Sequence, residues 1–272
     1  MISTRRITLS LALLTLVATT ALAQTPVDTN AASTSGQSPT TQPISDTVKP
    51  AYFAIIGGFE GDTHSTGYAF LGPSYVRPLS PSLAFTARVF ANYLFYEFDD
   101  GLGGTKVTSP GISTSAGLRF GEKNWFSVQA GPSFKFRTET MTRGSGEIEE
   151  SETRIGVSLG ADAYINPTSH NNIHAMVNYG TEDQYIWSRV AFKEQITNRN
   201  WSGKITNFVG AEVIPQGNDQ IRSILIGGLF ETVFVPSSFS FVVRGGYKRS
   251  TFEVGEPRTG PYFGVGIYRQ FR

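Results

Sequence analysis

No cysteine occurs anywhere in the chain. Disulfides, thiolate metal sites and a cysteine nucleophile are therefore excluded. Neither sign of charge predominates: 23 Lys and Arg against 22 Asp and Glu leave a formal net charge of +1. Such a chain has no whole-molecule basic field to gather nucleic acid. Histidine is scarce, with three in the chain, and no Walker or dinucleotide motif is present. Long apolar runs are also missing. The longest, residues 7–18, is interrupted by Thr and falls short of the roughly 20 residues that a membrane-spanning helix needs.

That run belongs to a different device. Arg5 and Arg6 precede it, and Ala21-Leu22-Ala23 followed by Gln24 closes it. A positive start, a short apolar centre and an A-x-A site form a secretory signal peptide, here residues 1–23. No cysteine follows the cleavage site, so no lipoprotein anchor is expected. Residues 24–50 are rich in Ser, Thr, Gln, Pro and Ala, with almost no aromatics and no periodicity. They cannot bury enough apolar surface to offset their ordering entropy, and read as a disordered leader.

From Tyr52 onward the chain alternates with period two. Leu83, Phe85, Ala87, Val89, Ala91, Tyr93 and Phe95 share one face of a single extended run, with Thr86, Arg88 and Asn92 opposite. Ile155, Val157, Leu159, Ala161 and Ala163 repeat this against Arg154, Ser158 and Asp162. A soluble sandwich alternates too, so strand length has to decide. Ordinary strands run about 5–6 residues, whereas strands that cross a bilayer need about 9–11. The runs here are of the longer kind: 52–60, 66–77, 83–98, 111–120, 125–138, 152–165, 172–180, 185–197, 201–214, 221–234, 239–249 and 261–271. About twelve strands, an even number, fit a closed antiparallel up-and-down transmembrane β-barrel of outer-membrane type over residues 51–272.

The connections give an independent test. Starting from a periplasmic N-terminus, the long polar ones (99–110, 139–151 and 250–259) all fall on the extracellular side. The short ones, such as 78–82, 121–124 and 235–238, fall on the periplasmic side. Long outside and short inside is the outer-membrane rule. Tyr52, Tyr75, Trp125, Trp201 and Phe271 at one end, and Tyr93, Phe95 and Trp187 toward the other, suit two interfacial belts. The closing run from Gly260 to Phe271 resembles the terminal assembly signal of such barrels. Membrane lipid and the barrel assembly machinery are thus expected partners, and a Gram-negative envelope the expected setting.

Several stretches resemble the BcsS family, associated with bacterial cellulose biosynthesis. They are Gly67-Tyr68-Ala69-Phe70-Leu71-Gly72 before Arg77-Pro78-Leu79, then Tyr93-Leu94-Phe95-Tyr96-Glu97-Phe98, Tyr185-Ile186-Trp187-Ser188-Arg189, Gly210-Ala211-Glu212 with Gln216-Gly217-Asn218, and Gly264 to Phe271. The resemblance implies an outer-membrane barrel accompanying a cellulose synthase system and its polysaccharide. It implies no catalytic residues and no cofactor.

Candidate functional residues follow from parity. Arg88, Arg119, Lys135, Arg137, Arg154, Arg244 and Lys248 fall on inward faces, with Glu212 and Asp162 as the chief inward carboxylates. Two readings stand: a salt-bridged plug, or a basic lumen that favours anionic solutes. Tyr96 and Trp187, placed near the extracellular rim, are the aromatics suited to stacking on sugar. An outer-membrane enzyme would need a histidine at that rim, and only His64, with Asp62 and Ser65 nearby, meets this; the same loop with Asp219 is the weak alternative as a cation site. The leading expectation is a non-enzymatic barrel assisting exopolysaccharide export or surface placement. The alternatives are a lipid- or saccharide-modifying enzyme and a small-solute porin. The targeting reading makes one firm expectation: the mature chain begins at Gln24. N-terminal sequencing of the outer-membrane fraction checks it, and a retained Met1 contradicts it.

Overall fold

The computed structural model describes residues 49–99, 103–200, 204–253 and 255–271. The expected signal peptide, and the leader up to residue 48, lie outside the described residues. Twelve antiparallel strands follow one another: β1 (Tyr52–Asp62), β2 (Gly67–Ser80), β3 (Leu83–Asp99), β4 (Gly104–Phe120), β5 (Trp125–Arg143), β6 (Gly146–Ile165), β7 (Asn171–Gly180), β8 (Tyr185–Asn200), β9 (Ile205–Gly217), β10 (Ile221–Phe234), β11 (Phe239–Phe252) and β12 (Arg258–Phe271). Each pairs with its sequence neighbours, and β1 pairs with β12 from Phe53↔Phe271 to Asp62↔Tyr262, closing the barrel. The up-and-down barrel of about twelve strands is thus borne out. Apart from a single 3-10 turn at Val235–Ser237, the regular structure among the described residues is strand.

Alternation fixes which face meets lipid. Val157 and Leu159 are 44% and 46% exposed, and between them Ser158 lines a cavity inside the barrel. Ile112, Val128, Phe134, Ile226 and Phe263 are likewise exposed on the outer wall. A contiguous apolar exterior of this extent belongs against hydrocarbon, since soluble monomers expose only small apolar patches. Ladder bonding on both sides of every strand removes the unpaired backbone groups that lipid cannot solvate.

Three stretches expected as loops are partly strand. Residues 139–151 continue the β5–β6 ladder to Arg143↔Gly146, around a tight turn at Gly144 (φ 58) and Ser145. β4 begins at Gly104 instead of 111, and β11 runs to Phe252. The physical reason is the same in each. Above the bilayer both faces of a hairpin meet water, so apolar and polar residues no longer alternate and the strand has no period-two signature. β9 begins at Ile205 in the described chain; residues 201–203, including Trp201, lie outside the described residues. The inward faces also differ from expectation. Tyr68, Leu94, Tyr96, Trp187, Ile214, Leu225 and Phe252 belong to a buried apolar girdle across the lumen, where small and polar residues alone were expected.

The outward and inward faces of β6 supply a direct check. Arg at a midplane lipid-facing site costs about 2–4 kcal/mol. Val157→Arg is therefore expected to hinder folding by that amount, and Ser158→Arg to be milder. Folding yields in detergent, read by heat-modifiable electrophoretic mobility, test this; equal yields contradict the strand parity.

Candidate functional site

Inside the barrel, charged side chains are arranged in tiers. At the periplasmic end, Arg119 lies 4.1 Å over the Trp125 ring and donates to the Tyr52 hydroxyl at 2.8 Å. His174 Nε2 sits 2.8 Å from Asp162 Oδ1, while Arg88 approaches the other oxygen at 3.7 Å. Lys193 pairs with Glu231 at 2.6 Å. In the middle, Arg189 Nε donates to Glu212 Oε2 at 2.8 Å, the Tyr262 hydroxyl donates to Oε1 at 3.2 Å, and Arg244 stands 3.9 Å away. Glu212 itself is buried.

The extracellular tier is built partly from turns. Asp62 pairs with Lys248 at 2.9 Å. Residues 181–184, between β7 and β8, fold into the mouth. Asp183 pairs with Lys135, and Ser133 donates to Glu182 Oε2 at 2.6 Å. The fold makes room for Glu182 with two glycines. A Cβ on Gly156 would stand 2.6 Å from the Glu182 backbone nitrogen, and one on Gly180 would collide with its carboxylate. Arg137 bonds Glu139, Gln220 and the Tyr96 hydroxyl.

Of the expected site residues, Arg88, Arg137, Arg244 and Glu212 all point into the barrel. Arg154 is part-exposed on the extracellular stretch of β6, where it pairs with Glu152 at 2.8 Å. Tyr96 and Trp187 do not stand open at the rim. They are 2% and 6% exposed, with Tyr96 stacked on Phe98 and Trp187 on Tyr68. Their strand parity aims both rings inward, and the β7–β8 turn sets the mouth above them. Trp187 therefore takes no part in an outer aromatic belt, and Trp125 and Tyr52 also face inward at the periplasmic end. Tyr93, Phe271 and, paired with Tyr75, Phe53 do lie on the exterior.

The carboxylates expected to be few inside are not few. Glu60, Asp62, Glu182, Asp183 and Glu231 join Glu212 and Asp162, so the lumen's cations are matched. Asp62, Glu182 and Asp183 lie at strand ends or in turns, where period-two parity does not reach. His64 does not assemble a triad. Asp62 Oδ1 accepts the backbone N–H of His64 (2.8 Å) and of Thr66 (3.0 Å), and its other oxygen serves Lys248. The imidazole Nε2 instead lies 3.3 Å from the Thr259 carbonyl. Asp219 pairs with Arg222 at 3.7 Å. Among the described residues no three His, Asp or Glu side chains gather to hold a metal.

Small cavities lie between the tiers. One, about 50 Å³, is lined by Ser113, Ser115, Gln129, Ser133 and Asn178 together with Tyr68, Tyr185 and Trp187. The smaller, about 10 Å³, touches Glu60, Thr66 and Lys248, and shares Tyr68, Leu94 and Tyr185 with the first. Each water needs about 10–15 Å³, so these two cavities have room for only a few waters.

A family model for the cellulose biosynthesis protein BcsS matches residues 82–271. No curated protein matches the chain. Among solved structures, LpxR from Salmonella typhimurium is 10% identical with a TM-score of 0.47, covering 79% of this chain and 99% of its own. An outer membrane channel from Pseudomonas putida F1 is 11% identical with a TM-score of 0.47, covering 82% of this chain and 96% of its own. The translocator domain of the autotransporter NalP from Neisseria meningitidis is 12% identical with a TM-score of 0.46, covering 81% and 88%.

Glu212 is the centre of the middle tier, and removing one partner of a buried charge group typically costs about 3–5 kcal/mol. Glu212→Ala leaves Arg189 and Arg244 without their carboxylate and is expected to destabilise the barrel by that order. The exposed pair Lys49–Glu122, where hydrogen bonding to Lys49 draws the Glu122 carboxyl below its ordinary range, is the contrast. Lys49→Ala is expected to leave the unfolding midpoint unchanged. Urea titration in detergent reads both.

Proposed function

The chain belongs to the BcsS family of cellulose biosynthesis proteins, and we propose that it is a non-enzymatic outer-membrane barrel that helps place the exopolysaccharide at the cell surface, without itself being an open conduit for it. The observation that carries this reading is the obstructed lumen. An apolar girdle and paired charges fill the bore from Trp125 at one end to the β7–β8 turn at the other. A cellulose chain cannot thread such an interior without wholesale rearrangement. The working partners are then the cellulose synthase complex or its polysaccharide, and outer-membrane lipid around the wall.

The same obstruction argues against a small-solute porin. It also removes the basis for an anion-preferring field, because charges matched at 2.6–2.9 Å, as in Lys193–Glu231, Arg189–Glu212 and Lys248–Asp62, leave little net potential to focus. The enzyme alternative rested on His64. Its imidazole faces a backbone carbonyl, and the neighbouring carboxylate is committed to a turn and to Lys248, so no residue orients it as a base.

Deletion of the gene, with complementation, tests the reading. Surface cellulose, measured by dye binding and by enzymatic release of glucose, is expected to fall several-fold while synthesis by isolated inner membranes is unchanged. Unaltered display overturns the proposal. In planar bilayers the purified barrel is expected to give no steady conductance. His64→Ala is expected to leave lipid mass spectra and polysaccharide yield as they were; a His64-dependent change in lipid A would favour the enzyme reading instead.

A further inference from the structure

β6 is far longer than the strand that follows it: 20 residues, Gly146–Ile165, against 10 in β7, Asn171–Gly180. On one side β6 pairs with β5 from Tyr164 to Gly146 with no register shift. On the other side its ladder with β7 ends at Ser158↔Gly180. One residue further, Val157 is tied to the β7–β8 turn. Its N–H donates to Thr181 Oγ1 at 2.8 Å, and its carbonyl accepts from the Thr181 N–H at 3.0 Å. Among the described residues, 146–156 have no strand on this side.

Both backbone groups of Val157 aim at that open side, and in an antiparallel ladder this orientation recurs at every second residue. Glu147, Glu149, Ser151, Thr153 and Ile155 therefore present N–H and C=O together along an unpaired edge. The cross-strand partners Thr138 and Ser151, whose hydroxyls meet at 3.1 Å, fit the closer, non-hydrogen-bonded type of pair that this phase requires. The edge is no isolated hairpin. Behind it stand β5, β4 and β3, whose ladders reach Thr105↔Met141 and Asp99↔Gly104. Such an edge is already held in the extended form that a further strand needs.

Exposed edges are templates for pairing, and natural sheets blunt them with proline, bulges, lysine or a covering segment. Residues 146–156 contain no proline and no lysine, and 146–153 are exposed. What they carry is glutamate, at 147, 149, 150 and 152. Arg154 Nε donates to Glu152 Oε2 at 2.8 Å. Among the described residues no cation is paired with Glu147, Glu149 or Glu150; on the outer face, Lys106 stands two strands away from Glu149, beyond Thr140. This charge selects the occupant. A second copy pairing edge to edge sets glutamate against glutamate, and like charges directly opposite are destabilising. A strand carrying Lys or Arg turns the same carboxylates into cross-strand partners.

We propose that the free edge of β6 is a docking site for an extended basic polypeptide segment outside the cell, which joins the sheet as a further strand. Main-chain bonds to residues 147–155 supply the affinity, and Glu147, Glu149 and Glu150 select Lys or Arg beside them. This goes beyond polysaccharide placement and calls on neither the lumen nor a sugar.

Fluorescence anisotropy of the full barrel in neutral detergent micelles tests it. The probe is a labelled peptide of alternating Lys and Thr, about nine residues long, enough to span 147–155. Saturable binding is expected, and none of the matching Glu and Thr peptide. Methylating the backbone nitrogens of one alternate set leaves the probe's charge intact. It is expected to weaken binding about tenfold or more for the set that faces β6 and to leave the other set unchanged. Ser151→Pro removes an edge donor without touching the β5 ladder, and the same order of loss is expected. Replacing Glu147, Glu149 and Glu150 together by Gln is expected to weaken binding about tenfold and to flatten its salt dependence. Heat-modifiable mobility shows which variants are folded; should Ser151→Pro not fold, the methylated peptides carry the test. Absence of saturable binding, equal binding of both methylated peptides, or binding that folded Ser151→Pro leaves unchanged overturns the proposal. A barrel that sediments as a dimer and becomes monomeric on Ser151→Pro overturns the basic partner in favour of a second copy.

Discussion

In a bilayer core there is no water to bond a peptide group, and everything else in this structure depends on that. A chain without an apolar helix long enough to span must satisfy its backbone between strands, and a sheet does so without remainder only when it closes. The β1–β12 ladder accomplishes this over ten residue pairs. Closure then divides the side chains into two solvents. The odd residues of β6 near Val157 meet hydrocarbon, the even ones near Ser158 meet the interior, and one residue of slip would exchange them all. Register is therefore fixed by the same hydrophobic pattern that makes the protein a membrane protein.

Charges excluded from the outer wall have to go inside, and there they meet a second constraint. The bore of a twelve-stranded barrel lies between filled eight-stranded barrels and open porins. Here it is closed by the girdle of Tyr68, Tyr96, Trp187, Ile214 and Leu225. Once the girdle excludes water, an unmatched Arg or Lys becomes expensive, and carboxylates are needed beside each. β1, β6, β9 and β10 supply some; the β7–β8 turn supplies Glu182 and Asp183 by bending into the mouth. The two glycines beneath that turn show how closely strand and loop are fitted, since a side chain at Gly156 or Gly180 would displace Glu182.

Much of this was legible in the sequence, and what was not has a common cause. Strand number, the short periplasmic turns and the inward direction of Arg88, Glu212 and Arg244 follow from period-two alternation, which holds wherever two faces meet different media. It fails above the membrane, so residues 139–151 read as a loop although they continue β5 and β6. It fails in turns, so Asp183 and Glu182 were not seen as lumen groups and the interior looked more basic than it is. Depth is the third quantity it cannot supply. Tyr96 and Trp187 were expected near the rim, Trp187 in an interfacial belt, but both are buried inside the barrel, and their distance from the rim depends on a turn four residues long that folds back on the barrel.

The number of ion pairs inside the barrel asks for a reason other than stability. A buried pair rarely stabilises more than apolar residues of the same volume, because desolvation offsets most of the attraction. Filling this bore with Leu and Phe throughout would close it as well. What paired charges and hydroxyl walls provide instead is an interior that tolerates water and exchangeable hydrogen bonds while carrying almost no net field. The matching of charge that lets this bore stay polar is thus also what makes it a poor ion pore.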